Sequence, residues 1–193
     1  MTAARASDVV ELRTARLLLR RPQPQDADDA LVLLRDPEVV RWNPAPSIVD
    51  LASARQWCER GADWGDGSHA TWHAVDPHDG HLVANVSVFA IDPEHATAKV
   101  GYRVMPERRG QGLGSEALLA VSEWAFGALS LARIQLEHVV TNVGSCRVAE
   151  RSGYRLEGTL RSAYLDPTGA RHDEHVHGRL AADQLGDRAV RQD

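Results

Sequence analysis

The order of apolar segments predicts an α+β domain with a mixed, mainly antiparallel sheet flanked by helices. Three observations carry this. One long helical pattern, Leu113, Ala117, Leu118, Val121, Trp124 and Ala125, sits among strand-like runs. Two pairs of those runs are joined by the tight turns Asp76-Pro-His-Asp-Gly and Asp166-Pro-Thr-Gly. The overall order, strand, helices, several strands, helix, strand, helix, strands, lacks the regular alternation of a doubly wound sheet.

Each element has a local signal. Residues 1–9 read as a loose tail, and Val10 to Arg20 has the length and apolar content of a strand. Pro24-Gln-Asp-Ala-Asp-Asp opens a helix with acidic residues in its first turn, continued by Leu31 and Leu34. Asp36-Pro37-Glu38 interrupts it, and Trp42-Asn-Pro-Ala-Pro-Ser reads as a rigid loop. Asp50 is placed to cap a helix carrying Leu51, Ala54, Trp57 and Cys58. Thr71–Val75, His81–Ile91 and Thr97–Met105 read as strands, and Ile134–Val140 as another after the long helix. Asn142 suits an N-cap and Gly153 the residue after a helix end. Two strands close a single domain over residues 10–181, leaving a polar tail from 182 to 193.

Composition narrows the function classes. The 193 residues, 43% of them hydrophobic, suffice for one packed core. The net charge of −5 argues against nucleic acid as a partner, since phosphate neutralisation needs a basic face. Cys58 and Cys146 give no disulfide framework, and the N-terminus shows no apolar signal region. No apolar stretch approaches the roughly 18 residues of a membrane span. The expected location is cytoplasmic.

The most informative stretch is 100–117. Val100 to Met105 is an apolar run closed by Pro106; Arg108 and Arg109 follow, then glycines at 110, 112 and 114, then the long helix. A glycine-rich turn at a helix N-terminus offers unpartnered amides and the positive end of the macrodipole to a phosphate. The P-loop is excluded, because no lysine precedes Ser115. The dinucleotide fingerprint fits Gly112, Gly114 and Ala117 formally, with Glu137 lying 25 residues past Gly112. It is badly placed, about a hundred residues into the chain with too little sequence after it.

The run Arg109-Gly110-Gln111-Gly112-Leu113-Gly114 resembles the [RQ]-x-x-G-x-[GA] signature of the GNAT N-acetyltransferases. Val100-Gly-Tyr-Arg-Val-Met-Pro-Glu, the segment from Asn142 through Ser145 to Gly153-Tyr154, and the opening Leu12–Pro22 resemble the subgroup that includes ribosomal-protein acetyltransferases of RimJ/RimL type. The resemblance covers roughly residues 10–181. It implies the GNAT fold, with acetyl-CoA as cosubstrate and a primary amine as acceptor. A protein N-terminal α-amine is the favoured acceptor, and a small-molecule amine the alternative. A homodimer is compatible with the resemblance. A non-catalytic acyl-CoA-binding module and an NAD-dependent oxidoreductase remain the rivals from other classes.

The resemblance also implies site roles. Arg109, Gly110, Gln111, Gly112, Leu113, Gly114 and Ser115 would grip the coenzyme A pyrophosphate, with the Arg109 guanidinium available to a phosphate oxygen. Val104 or Met105 would present a main-chain N–H to the oxyanion. Asn142 would bond the pantetheine arm, and Ser145 would stand near the sulfur as a proton donor; as an N-cap and a helix-face hydroxyl, both also have ordinary structural uses. Tyr102 reads as a packed aromatic. The general base is unassigned: Lys99 stands where many of these enzymes carry a carboxylate, Ser162-Ala163-Tyr164 supplies no acid, and Ala149 replaces a frequent tyrosine. An α-amine, with a pKa of about 8, is nearer neutrality than a lysine at about 10.4. Trp42 is expected to line the acceptor pocket. Asp173, His175 and His177 would share one strand face, a set suited to zinc, but no partner motif accompanies them and no metal site is assigned.

Overall fold

The computed structural model describes residues 10–43 and 48–183. Among these, eight strands form one sheet: β1 (Leu12–Arg13), β2 (Leu18–Arg20), β3 (His69–Val75), β4 (Leu82–Asp92), β5 (Thr97–Val104), β6 (Arg133–Val139), β7 (Arg155–Leu165) and β8 (Arg171–Leu180). Their order is β1-β2-β3-β4-β5-β6-β8-β7, and only β5 and β6 run parallel. The helices are α1 (Ala27–Arg35), α2 (Pro37–Trp42), α3 (Leu51–Ala62), α4 (Leu113–Ala128) and α5 (Val143–Arg151). This is the expected α+β class.

Two expectations need correction. Residues 10–20 do not form one strand. The Thr14 hydroxyl accepts from the Leu17 amide at 3.0 Å and folds the segment into a hairpin that pairs β1 with β2. Residues 36–38 do more than interrupt a helix: Asp36 accepts the Val39 amide at 3.1 Å and starts α2, with Pro37 at its first position. The N-terminal tail, residues 184–193 of the C-terminal tail and residues 44–47 of the double-proline loop lie outside the described residues.

The main core lies between the sheet and α4. Ala117, Leu118, Val121 and Ala125 of α4 are fully buried with Trp72, Val86, Val88, Ile134 and Leu136 of the strands. Burying each large side chain stabilises the fold by roughly 1.5–3 kcal/mol. Trp64, Trp72 and Trp124 pack as a triad, Trp72 standing 4.7 Å from each of the others. Buried polar groups are paired where they join elements: Ser122 of α4 bonds the Tyr154 hydroxyl at 2.7 Å. Asp26 receives both Arg20 Nη groups at 2.7 and 2.8 Å and lies 2.7 Å from His73 Nδ1, tying β2, β3 and the turn before α1 together.

The opening that makes the site is a splay. β5 and β6 pair only over Thr97–Lys99 and Arg133–Gln135. Beyond this, β5 stays on β4 as far as Val104, opposite Ala84, while β6 stays on β8 as far as Val139, opposite Glu174. The two parallel strands therefore part at their carboxyl ends, where open sheets place ligands.

Candidate active site

The glycine turn is built as a phosphate cradle. Gly112 is the N-cap of α4 with φ of +79°, and no side chain caps the helix. The first amides of a 16-residue helix are thus left without partners and face a cleft of about 880 Å³. Gly112 needs its glycine for the left-handed backbone. Gly114 needs it for space: a Cβ there would stand 2.9 Å from Val104 Cγ2. The buried Ser115 hydroxyl has no hydrogen-bond partner, so the cradle retains an unused polar group. These features fit a pyrophosphate.

Gly110, Gly112, Leu113, Gly114 and Ser115 line this cleft together with Asn142 and Ser145. Two expected members behave differently. The Gln111 side chain donates to the Glu107 carbonyl and does not line the cleft. Arg109 lines it, but its guanidinium is bound at 2.5 Å to Asp36 and donates through Nε to the Val104 carbonyl at 3.2 Å. It clamps the turn to the start of α2; the cation expected to be free for phosphate is already paired. Arg108 lies 3.5–3.6 Å from Asp76 and Asp79. Arg147 and Arg151, one turn apart on α5, line the cleft without ion-pair partners among the described residues. Their i,i+4 spacing is the sequence signal that marks them as one helix face. Arg16 was also missed; it meets Glu116 at 2.6 Å and the Gln111 carbonyl at 2.9 Å, fixing the turn from the N-terminal hairpin.

The oxyanion expectation resolves by strand parity. The Met105 amide donates to the Val83 carbonyl at 2.9 Å, and its side chain is buried with Leu33, Val39 and Leu82. Met105 is therefore committed to β4 and to the core, and its expected catalytic role is corrected. Because backbone groups alternate along an antiparallel ladder, the Val104 amide turns the other way, into the splay.

Asn142 caps α5, its side-chain oxygen accepting the Ser145 amide at 3.0 Å. At the far end the Gly153 amide donates to Glu150 and the Tyr154 amide to Ala149, closing the helix with Gly153 at φ of +84°. The cap sets Ser145 in the first turn, where its hydroxyl accepts from the Tyr102 hydroxyl at 2.9 Å. Tyr102 is thus more than packing. Burial pushes its pKa up beyond the ordinary phenol value, so it stays protonated.

A second cleft, of about 510 Å³, adjoins the first and shares Trp42, Asn43, Tyr102, Arg103, Asn142 and Ser145 with it. Trp42, expected at the acceptor pocket, lines both clefts. Lys99, Glu137, Tyr164 and Glu174 line the second cleft. Lys99 is paired with Glu137 at 2.9 Å, whereas burial and the neighbouring Glu137 raise the pKa of Glu174. Arg103, depressed by burial to about 10, donates to the Asn43 side chain at 2.9 Å and holds the end of α2 beside the splay. Tyr164 donates to the Arg41 carbonyl at 2.9 Å, bridging β7 and α2. No helix of the described residues is long and apolar enough to cross a membrane.

The acetyltransferase (GNAT) domain pattern matches residues 16–155. The chain is 29% identical to the uncharacterized N-acetyltransferase YoaA of Bacillus subtilis over 175 residues, 86% of this chain and 94% of that one. It is 34% identical to the ribosomal-protein-serine acetyltransferase of Escherichia coli K12 over 104 residues, 53% of this chain and 57% of the other. Mycobacterium smegmatis RimJ, solved with CoA-disulfide, shares the fold with a TM-score of 0.78 at 24% identity, over 92% of this chain and 90% of that one. With the glycine cradle, the splayed strands and these likenesses in agreement, the chain belongs to the GNAT family of N-acetyltransferases, enzymes that draw their acetyl group from acetyl-CoA.

Proposed function

We propose that this enzyme transfers the acetyl group of acetyl-CoA to the α-amine of a protein N-terminus. The observation that carries the reading is the meeting of two clefts at Tyr102 and Ser145, one ending in the α4 cradle and the other holding Glu137 and Glu174. In this reading the α4 amides, with Arg147 and Arg151, hold the phosphates, and the Asn142 amide group, its oxygen already used as a cap, donates to the pantetheine arm. The Val104 amide receives the oxyanion. Because Tyr102 donates to Ser145, the serine proton is left free for the departing thiolate. Glu174, a carboxylate of raised pKa in the acceptor cleft, takes the proton of the incoming ammonium. An α-amine gives up that proton more readily than a lysine side chain.

Thiol release from acetyl-CoA tests the proposal across matched acceptors: a peptide with a free N-terminus, the same peptide N-terminally blocked but carrying lysine, and small amines. Release with the first alone is expected, and Glu174→Gln should cut kcat/KM by roughly 10²-fold. Turnover confined to small amines overturns the protein-acceptor reading. Acetyl-CoA raising the melting temperature with no turnover on any acceptor overturns catalysis. Stabilisation by NAD instead of acetyl-CoA overturns the cofactor assignment.

A further inference from the structure

Beside the first turn of α5, with His138 at the edge of the second cleft, four side chains converge that the proposed transfer does not use. We propose that His138, Cys146, His175 and His177 form a binding site for one transition-metal ion of the zinc class. Their donor atoms all lie within 4.8 Å of one another. A tetrahedral ion with metal–nitrogen bonds of 2.0–2.1 Å and a metal–sulfur bond near 2.3 Å needs donor separations of roughly 3.3–3.8 Å, within reach of small side-chain rotations.

The fold brings the four together from three elements. His138 on β6 is directly opposite His175 on β8, and Leu136 is opposite His177, so the three imidazoles share one sheet face. Cys146 comes from the first turn of α5 above them. Asp173, expected to share that face, accepts the Ser162 amide at 2.8 Å and is not among the four. Sequence spacing had supplied half the set; β6 and α5 supply the rest.

Local chemistry prepares the donors. His138 Nδ1 lies 2.9 Å from the Val139 carbonyl and must carry the proton to donate there, which leaves a bare lone pair on Nε2. That Nε2 stands 3.1 Å from His177 Nε2, close to one edge of a metal tetrahedron. Nδ1 of His175 is buried without a hydrogen-bond partner, a cost that a bound ion would remove. Burial holds His138 and His177 below the usual imidazole pKa, in the neutral form that ligates. Cys146 would lose its S–H proton to solvent on binding, so three neutral imidazoles and one thiolate would leave a single positive charge on the site. Glu150, whose Oε1 lies 3.7 Å from Cys146 Sγ, is placed to offset it. Three nitrogens and a sulfur select zinc, cobalt or copper over magnesium or calcium.

The test is a Co²⁺ titration of the tag-free, chelator-treated full chain, followed by back-titration with Zn²⁺. The expected result is a tetrahedral ligand-field spectrum with a near-ultraviolet sulfur-to-cobalt charge-transfer band. It should saturate at one ion per chain and be erased by one equivalent of Zn²⁺. Cys146→Ser, at a partly exposed position, should keep the far-ultraviolet circular dichroism, lose the charge-transfer band and weaken binding by at least roughly 10–100-fold. His175→Ala should weaken it likewise. An octahedral spectrum, or binding untouched by Cys146→Ser, overturns the site and leaves the cluster as a His138–His177 hydrogen bond with packed neighbours.

Discussion

Replacing Gly114 with alanine tests whether the contact of α4 with β5 sets the geometry of transfer. The new Cβ would lie 2.9 Å from Val104 Cγ2, 3.8 Å from Val148 and 3.9 Å from the Tyr102 ring. Carbon atoms prefer about 3.5–4.0 Å, so helix and strand must separate by roughly 0.6–1 Å. Overpacking of this kind costs about 1–3 kcal/mol, while alanine in a helix regains up to about 1 kcal/mol over glycine. The net loss of stability should be about 0–3 kcal/mol. The kinetic loss should be larger, because the displaced residue carries the amide assigned to the oxyanion, and misplacement by about 1 Å costs up to about 10²-fold. Urea unfolding and steady-state kinetics on an accepted amine measure the two effects. Gly127→Ala in the same helix is the control, since its Cβ meets nothing within 4 Å; it should leave the kinetics unchanged. Wild-type kcat/KM in Gly114→Ala would refute the assignment of close α4–β5 packing to catalysis.

Tyr102→Phe and Ser145→Ala should each lower kcat by roughly 10²-fold, and the double variant should be little worse, because the hydroxyls act in series; additive losses in a double-mutant cycle would separate them. Arg109→Ala should weaken coenzyme A and pantetheine fragments equally and be reproduced by Asp36→Asn, whereas Arg147→Ala should weaken only the phosphate-bearing ligands, by about 2–5-fold. Calorimetric titration distinguishes the two patterns, and the reverse pattern returns Arg109 to the phosphate. For stability against pH, burial holds the pKa of His73 below its ordinary value despite Asp26. Burial would raise Asp26, but Arg20 and His73 more than offset it and hold the carboxyl well below the usual range. Both groups bind protons first in the unfolded chain, so stability is full above about pH 6.5. It should fall as pH drops through the histidine range, and again below about pH 3.9. A urea midpoint that stays constant from pH 8 to 4 would show that His73 is not held neutral.

What the sequence disclosed was local. The cradle could be read because three glycines at alternate positions before a helix need no distant partner to be recognised. Asn142 and Gly153 could be read because caps act within one turn. What stayed hidden depends on register and long-range pairing. Whether Val104 or Met105 offers its amide is decided by the alignment of β5 against Ala84 and Val83 of β4. Arg109 looked free because its carboxylate, Asp36, lies 73 residues earlier. Tyr102 looked like packing because its partner, Ser145, lies 43 residues later on another element. The histidines of β8 looked isolated because β6 and α5 complete their surroundings.

The short parallel pairing of β5 with β6 also bears on the order of events. One cleft lies against α4 and α5, the other against Thr71, Ser87 and Lys99, and they communicate where those strands part. With coenzyme A in the first cleft and the amine in the second, as proposed, neither must leave before the other arrives. Cys146, the nearest thiol, has its pKa raised by burial and Glu150, which makes it a poor way-station for the acyl group. Such an architecture calls for direct transfer within a ternary complex, with initial-velocity lines that intersect instead of running parallel.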